Sequence, residues 1–121
     1  MKSVIQTISA LAIVTGLVMS SGVSPAAYPD KSVMMIVPFP AGGRTDLTAR
    51  VAAQYLPKHL GQPVVVVNKP GAGGVLGAKE VAAAAPDGYT VGLFSTAVVT
   101  AQYTVPTPTN LNDYVAISLV N

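Results

Sequence analysis

The residues with the most chemical potential in this 121-residue chain fall in one run, Pro38-Phe39-Pro40-Ala41-Gly42-Gly43-Arg44-Thr45-Asp46. Gly42 and Gly43 carry no Cβ, so the backbone there can approach a ligand closely. A helical pattern follows, and the free N–H groups of its first turn would point at the same spot. The helix dipole favours negative charge at such a place by roughly 0.3–1 kcal/mol. Thr45 and Asp46 can cap the helix or hold an ordered water. The combination suits a small anion resting in a backbone cradle. Asp46 would repel a highly charged phosphate nearby. The same residues also make an ordinary tight turn followed by a capped helix.

A second pair of polar residues, Ser95 and Thr96, sits just past an apolar run, and their hydroxyls can donate to a carboxylate oxygen. A nucleophilic Ser95 would want Gly-x-Ser-x-Gly around it, but Phe94 and Thr96 are its neighbours. The sole imidazole, His59, falls at the far end of the first helix. A general base must lie within hydrogen-bond reach of its proton, so His59 reads as an exposed residue of a helix end. No catalytic residue is assigned. The second glycine run, Asn68-Lys69-Pro70-Gly71-Ala72-Gly73-Gly74-Val75-Leu76-Gly77, comes close to Gly-x-Gly-x-x-Gly, with Gly77 one place late. No acidic residue follows at the end of the next strand to hold a ribose, and neither run ends in the Gly-Lys-Ser/Thr of a P-loop. Small residues there serve equally well for close helix–sheet packing.

Composition narrows the function classes. There is no Cys, which removes disulfides, thiolate catalysis and Cys-built zinc sites. One His builds no His-rich metal site. No metal and no cofactor is expected. Seven Lys and Arg against five Asp and Glu give a net charge of +2, and the basic residues after Lys2 are scattered singly. The footprint of a nucleic-acid binder is absent. At the N-terminus, Lys2, the uncharged run Ile8–Met19 and the small residues around Ser24-Pro25-Ala26 have the layout of a secretory signal peptide over residues 1–26. The apolar run is short for a membrane span, which needs roughly 20 residues. Residues 27–121 then form one small domain at most.

The elements that must position these residues follow from periodicity. Val33–Val37 and Val64–Val67 read as buried strands, the latter a pure β-branched run. Asp46 is expected to open a helix whose apolar stripe is Leu47, Val51, Tyr55 and Leu56, ended or kinked by Pro57. A second helix is expected over Val75–Ala84, stopped by Pro86-Asp87-Gly88. Tyr89–Phe94 reads as a third strand, Ser95–Tyr103 as loop or short helix, and Val115–Val120 as a fourth strand. Strands alternating with helices predict an α/β fold, a parallel sheet with flanking helices. In such sheets ligands bind at the C-terminal strand ends, where both candidate runs lie.

Taken together, three segments resemble the receptor subunits of the tripartite tricarboxylate transporter family, the Bug receptors: Tyr28–Lys31 with Ile36–Asp46, Leu60–Gly74, and Ala85–Thr90. The resemblance implies a periplasmic receptor, exported and freed of its signal peptide, with a periplasmic-binding-protein-like (type II) fold of two lobes. Residues 27–121 would be a partial first lobe, with the chain truncated near the crossing to the second. The implied ligand is a small organic carboxylate, handed to membrane permease subunits; a monomer without enzymatic activity is expected. The loop Phe39, Pro40, Ala41, Gly42, Gly43, Arg44, Thr45, Asp46 would form one jaw of a carboxylate pincer, and Ser95 and Thr96 would line the cleft. Arg44 stands where many relatives carry a small residue. It would either contact a second carboxylate or sit solvated on the cleft rim. The competing classes are a Rossmann-like nucleotide-binding module or enzyme fragment, and a truncated product without binding activity.

Overall fold

A computed structural model describes residues 27–101, 103–106 and 110–119. The expected signal peptide over residues 1–26 lies outside the described residues. The chain forms β1 (Val33–Val37), α1 (Arg44–Tyr55), the short α2 (Pro57–Leu60), β2 (Val64–Asn68), a 3-10 turn (Ala72–Gly74), α3 (Val75–Ala83), β3 (Thr90–Gly92) and α4 (Thr96–Ala101). A further 3-10 turn spans Leu111–Asp113.

The three strands make one parallel sheet in the order β2-β1-β3, with Met35 opposite both Val66 and Val91. The run Val33-Met34-Met35-Ile36-Val37 takes the centre because it is apolar at every position, as a strand covered on both faces must be. Met35 and Val37 pack with Ala49 of α1, alongside Ala52, Leu56, Val64 and Val66. Alternate residues of a strand face opposite ways, so Ile36 turns to the other side, where α3 lies against β1 and β3. There Val75 and Ala78 of α3 are buried. Ile36 and Val37 are wholly buried, each stabilising the fold by about 1.5–3 kcal/mol relative to exposure. Ahead of the sheet, the polar lead-in is tied to the start of β3: Tyr28 donates to the Gly88 carbonyl at 2.8 Å, and Tyr89 donates to Asp30 Oδ1 at 2.6 Å.

Several expectations change. The first helix begins at Arg44, with Gly43 in the N-cap position and no side-chain cap, so Asp46 sits in its first turn and does not open it. The expected stripe Leu47, Val51 and Tyr55 is 57%, 56% and 55% exposed. The helix faces the sheet with Ala49 and Ala52 instead, because small side chains let it approach closely. Pro57 does stop α1: it lacks the N–H that would continue the ladder, and α2 starts at that residue. The third strand is shorter than expected, and the ambiguous stretch after it is helical from Thr96 to Ala101. Residues 115–119 form no strand. Val115, Ile117 and Leu119 are 91%, 83% and 91% exposed, and a strand requires a ladder partner that this segment does not meet.

Candidate functional site

Alongside β3 and past its C-terminal end the surface opens into a groove of about 1160 Å³, bounded also by the end of α3 and by residues 115–119. Arg44 and Thr45 from the first turn of α1 line it on one side, and Ser95 and Thr96 at the start of α4 on another; Asp113 and Tyr114 contribute further along. The parallel sheet explains the meeting. Two strands running the same way deliver their following residues to one edge, although some 50 positions separate them. No other charged side chain pairs with the exposed Arg44 guanidinium among the described residues. With no side chain capping α1, the first-turn amides remain available beside it. Ser95 Oγ accepts the Ala97 N–H at 3.3 Å, which leaves its own O–H free to donate.

The remaining sequence-derived residues are placed differently. Phe39 is half-buried and turns inward, packed on the core with Met35 and Val37. Pro40, Ala41, Gly42 and Gly43 are exposed but do not line the groove. Asp46, expected in the jaw, faces the interior. It is only 1% exposed and does not reach the groove. Its carboxylate is turned into the protein, where Oδ2 accepts the Gly42 N–H at 2.8 Å and Arg50 Nε at 2.9 Å, and Oδ1 accepts Asn68 Nδ2 at 2.9 Å. The hydrogen bond from Arg50 holds the Asp46 carboxyl well below the usual carboxylate range; the Gly42 amide and the Asn68 amide add to this, and burial opposes it. The charge is thus stabilised in place, and it does not repel an anion in the groove as an open carboxylate would.

Asn68 and Arg50 were not singled out from sequence. Asn68 Nδ2 also donates to the Phe39 carbonyl at 3.1 Å, and Arg50 Nη2 donates to Asn68 Oδ1 at 3.3 Å. One signal was present: Asp46 and Arg50 stand four apart on a helix, a spacing at which opposite charges meet. Asn68 showed only as the polar residue closing a run of valines.

The fold is an α/β lobe of the periplasmic-binding-protein kind. The family profile described as "Tripartite tricarboxylate transporter family receptor" matches residues 48–120, and the chain belongs to that family. It is 56% identical over 73 residues to Protein BugT of Bordetella pertussis; the match covers 60% of this chain and 22% of BugT. The chain therefore spans about a fifth of the length of that curated relative. A Rhodopseudomonas palustris protein solved with adipate superposes with a TM-score of 0.57 at 38% identity, over 59% of this chain and 24% of that one. Another from the same organism, MatC with bound malate, superposes with a TM-score of 0.52 at 48% identity, over 54% of this chain and 22% of that one. The inward packing of Gly74 and Gly77 gives the second glycine run a structural role, as the close-packing alternative anticipated.

Proposed function

We propose that this chain is the first lobe of a periplasmic receptor that captures small organic carboxylates by binding alone and passes them to the membrane permease of a tripartite tricarboxylate-type transporter. What supports the reading is the groove itself, which is lined by Arg44, whose guanidinium has no ion-pair partner among the described residues, by the uncapped start of α1 and by Thr45, Ser95 and Thr96. Each group is a donor, and a carboxylate is an acceptor on both oxygens. The two solved relatives hold malate and adipate, each of which carries two carboxylates. One carboxylate of such a ligand would rest on the helix start and the hydroxyls. Arg44 would hold the other through charge-assisted hydrogen bonds. In a two-lobed receptor a second lobe would then close over the ligand.

Binding without catalysis is supported by what surrounds Ser95. No imidazole stands beside it to take its proton: the chain's single His, His59, is exposed on α2, away from the groove lining. Export to the periplasm is supported by the layout of residues 1–26.

The test is thermal unfolding of the chain with malate, adipate and a monocarboxylate such as propionate, repeated for Arg44→Ala. A ligand that binds the native state raises the midpoint. Malate and adipate should raise it in the parent chain, and Arg44→Ala should lose roughly tenfold in affinity for the diacids while leaving propionate unchanged. A midpoint indifferent to all carboxylates but raised by ATP or NAD would replace this reading with the nucleotide one.

A further inference from the structure

Asp46 is the one charged side chain among the described residues that is fully buried, and the groove makes no direct use of it. Charged carboxylates are rarely buried without a task, because desolvation must be offset by hydrogen bonds. Here the offsetting bonds converge from three parts of the chain. Gly42 N–H comes from the loop after β1, Arg50 from the second turn of α1, and Asn68 from the last position of β2. The Asn68 amide uses its second hydrogen on the Phe39 carbonyl at 3.1 Å. The loop is therefore gripped at both ends, at Phe39 by its carbonyl and at Gly42 by its amide. Its other firm restraints lie at its two ends, where the Phe39 side chain packs on the core and the Gly43 carbonyl accepts the Leu47 N–H at 3.0 Å; between them Gly43 N–H reaches the Pro40 carbonyl only at 3.4 Å, and Pro40 to Gly43 are all exposed.

We propose that Asp46 and Asn68 are positioning residues that hold the Phe39–Gly43 loop and through it fix the uncapped start of α1, where Arg44 and Thr45 line the groove, before any ligand arrives. The inference rests on the carboxylate-receptor reading for what the loop is positioned to do, but the positioning itself is a property of the ligand-free chain. Asn68 is suited to the task because a primary amide donates twice and accepts as well. A carboxylate there would face Asp46 and the Phe39 carbonyl with acceptors only. A pre-set loop leaves less conformational freedom to lose on binding, which raises affinity without adding a contact.

Two measurements decide it. The first is amide hydrogen exchange of the ligand-free chain by NMR, comparing Gly42 with Ala41, whose N–H has no partner among the described residues. Gly42 should exchange at least roughly tenfold more slowly, as a bond to a charged acceptor dictates. Its proton should also resonate downfield, and Asn68→Ala should erase both effects. The second is calorimetric titration with malate. Asn68→Ala should weaken binding by roughly tenfold, and Asn68→Asp should weaken it further by setting like charges together. Exchanging the pair in the double variant D46N/N68D, which restores an amide facing a carboxylate, should recover affinity relative to N68D alone. A general structural role would give no such recovery.

Unprotected Gly42 in the parent chain overturns the proposal, and that reading needs no variant to fold. Unaltered malate affinity in folded Asn68→Ala overturns it as well. If the parent chain binds no carboxylate at all, the receptor reading fails, and Gly42 exchange still decides whether Asp46 and Asn68 set the loop.

Discussion

The loops after β1 and β2 are both rich in glycine, both leave the same edge of a parallel sheet, and both lead into a helix, yet Gly42 and Gly43 of the first are set in surroundings opposite to those of Gly74 and Gly77 at the end of the second. A Cβ on Gly42 would meet nothing within 4 Å, and one on Gly43 only the Pro40 carbonyl at 3.3 Å. A Cβ on Gly74 would lie 2.8 Å from Val98 Cγ2 and 3.3 Å from Phe39 Cζ, and one on Gly77 only 2.7 Å from the Lys69 carbonyl. The first loop is therefore open backbone, held by the polar contacts of Asp46 and Asn68. The second is closed backbone that wedges α3 and α4 against the strand ends and supports the inward-facing Phe39. The same residue type exposes main chain in one case and admits a neighbour in the other. What differs is the surface opposite.

That contrast breaks most easily at Gly74. It combines a φ of +98° with a clash, so Gly74→Ala should destabilise the chain by on the order of 3 kcal/mol, from overpacking and left-handed backbone strain together. Urea unfolding measures it. A loss under about 1 kcal/mol would mean that the second loop is not closed against its neighbours.

The polar side of the contrast is sharpened by acid. Native Asp46 holds its proton less readily than an unfolded aspartate, chiefly through Arg50, then through Gly42 and Asn68. Its contribution to stability is complete well above the ordinary carboxylate pKa of about 3.9. It drains as the pH falls below that value toward the depressed native one, because the unfolded chain then binds more protons. The stability of the parent chain should decline as the pH drops from about 5 toward 2, and Asp46→Asn should flatten that limb. An unchanged slope would detach Asp46 from the network.

Smaller effects follow on the open side. Gly42 has a φ of +80° and free space around it, so Gly42→Ala should cost about 1 kcal/mol from backbone strain alone. Equal losses at Gly42 and Gly74 would erase the distinction between the loops. Smallest of all, Lys69 and Glu80 pair at 3.0 Å with both side chains nearly half exposed. Lys69→Ala should change stability by less than about 0.5 kcal/mol, which would leave packing, not charge, as what closes the second loop.

Much of the scaffold was legible because its signals are local. Val33–Val37 is apolar throughout and Val64–Val67 is β-branched throughout, and both form strands where expected. Pro57 stops α1 for a reason that involves only its own ring and missing N–H. Of the residues singled out for the candidate site, Arg44, Thr45, Ser95 and Thr96 line one groove, since a βα pattern sends loops to a single edge. The stripe on α1 was misread because a helix with large apolar residues on one face and alanines on another has two faces that could meet a sheet. Close approach favoured the alanines and left Leu47, Val51 and Tyr55 outside. Nothing local separated the fourth strand candidate from a strand, since its fate depends on a partner elsewhere in the chain.

By itself the sequence determined the alternation of strands and helices, the parallel sheet, the helix break at Pro57 and the two glycine loops at the strand ends. These depend on backbone geometry and on periodicity within a few residues. Only the tertiary structure decided that Asp46 turns away from the groove, that Asn68 clasps it from 22 positions along, and that one glycine loop is open while the other is packed. Those outcomes depend on which distant residue arrives opposite, and burial and hydrogen-bond partners exist only once the chain has folded to bring them together.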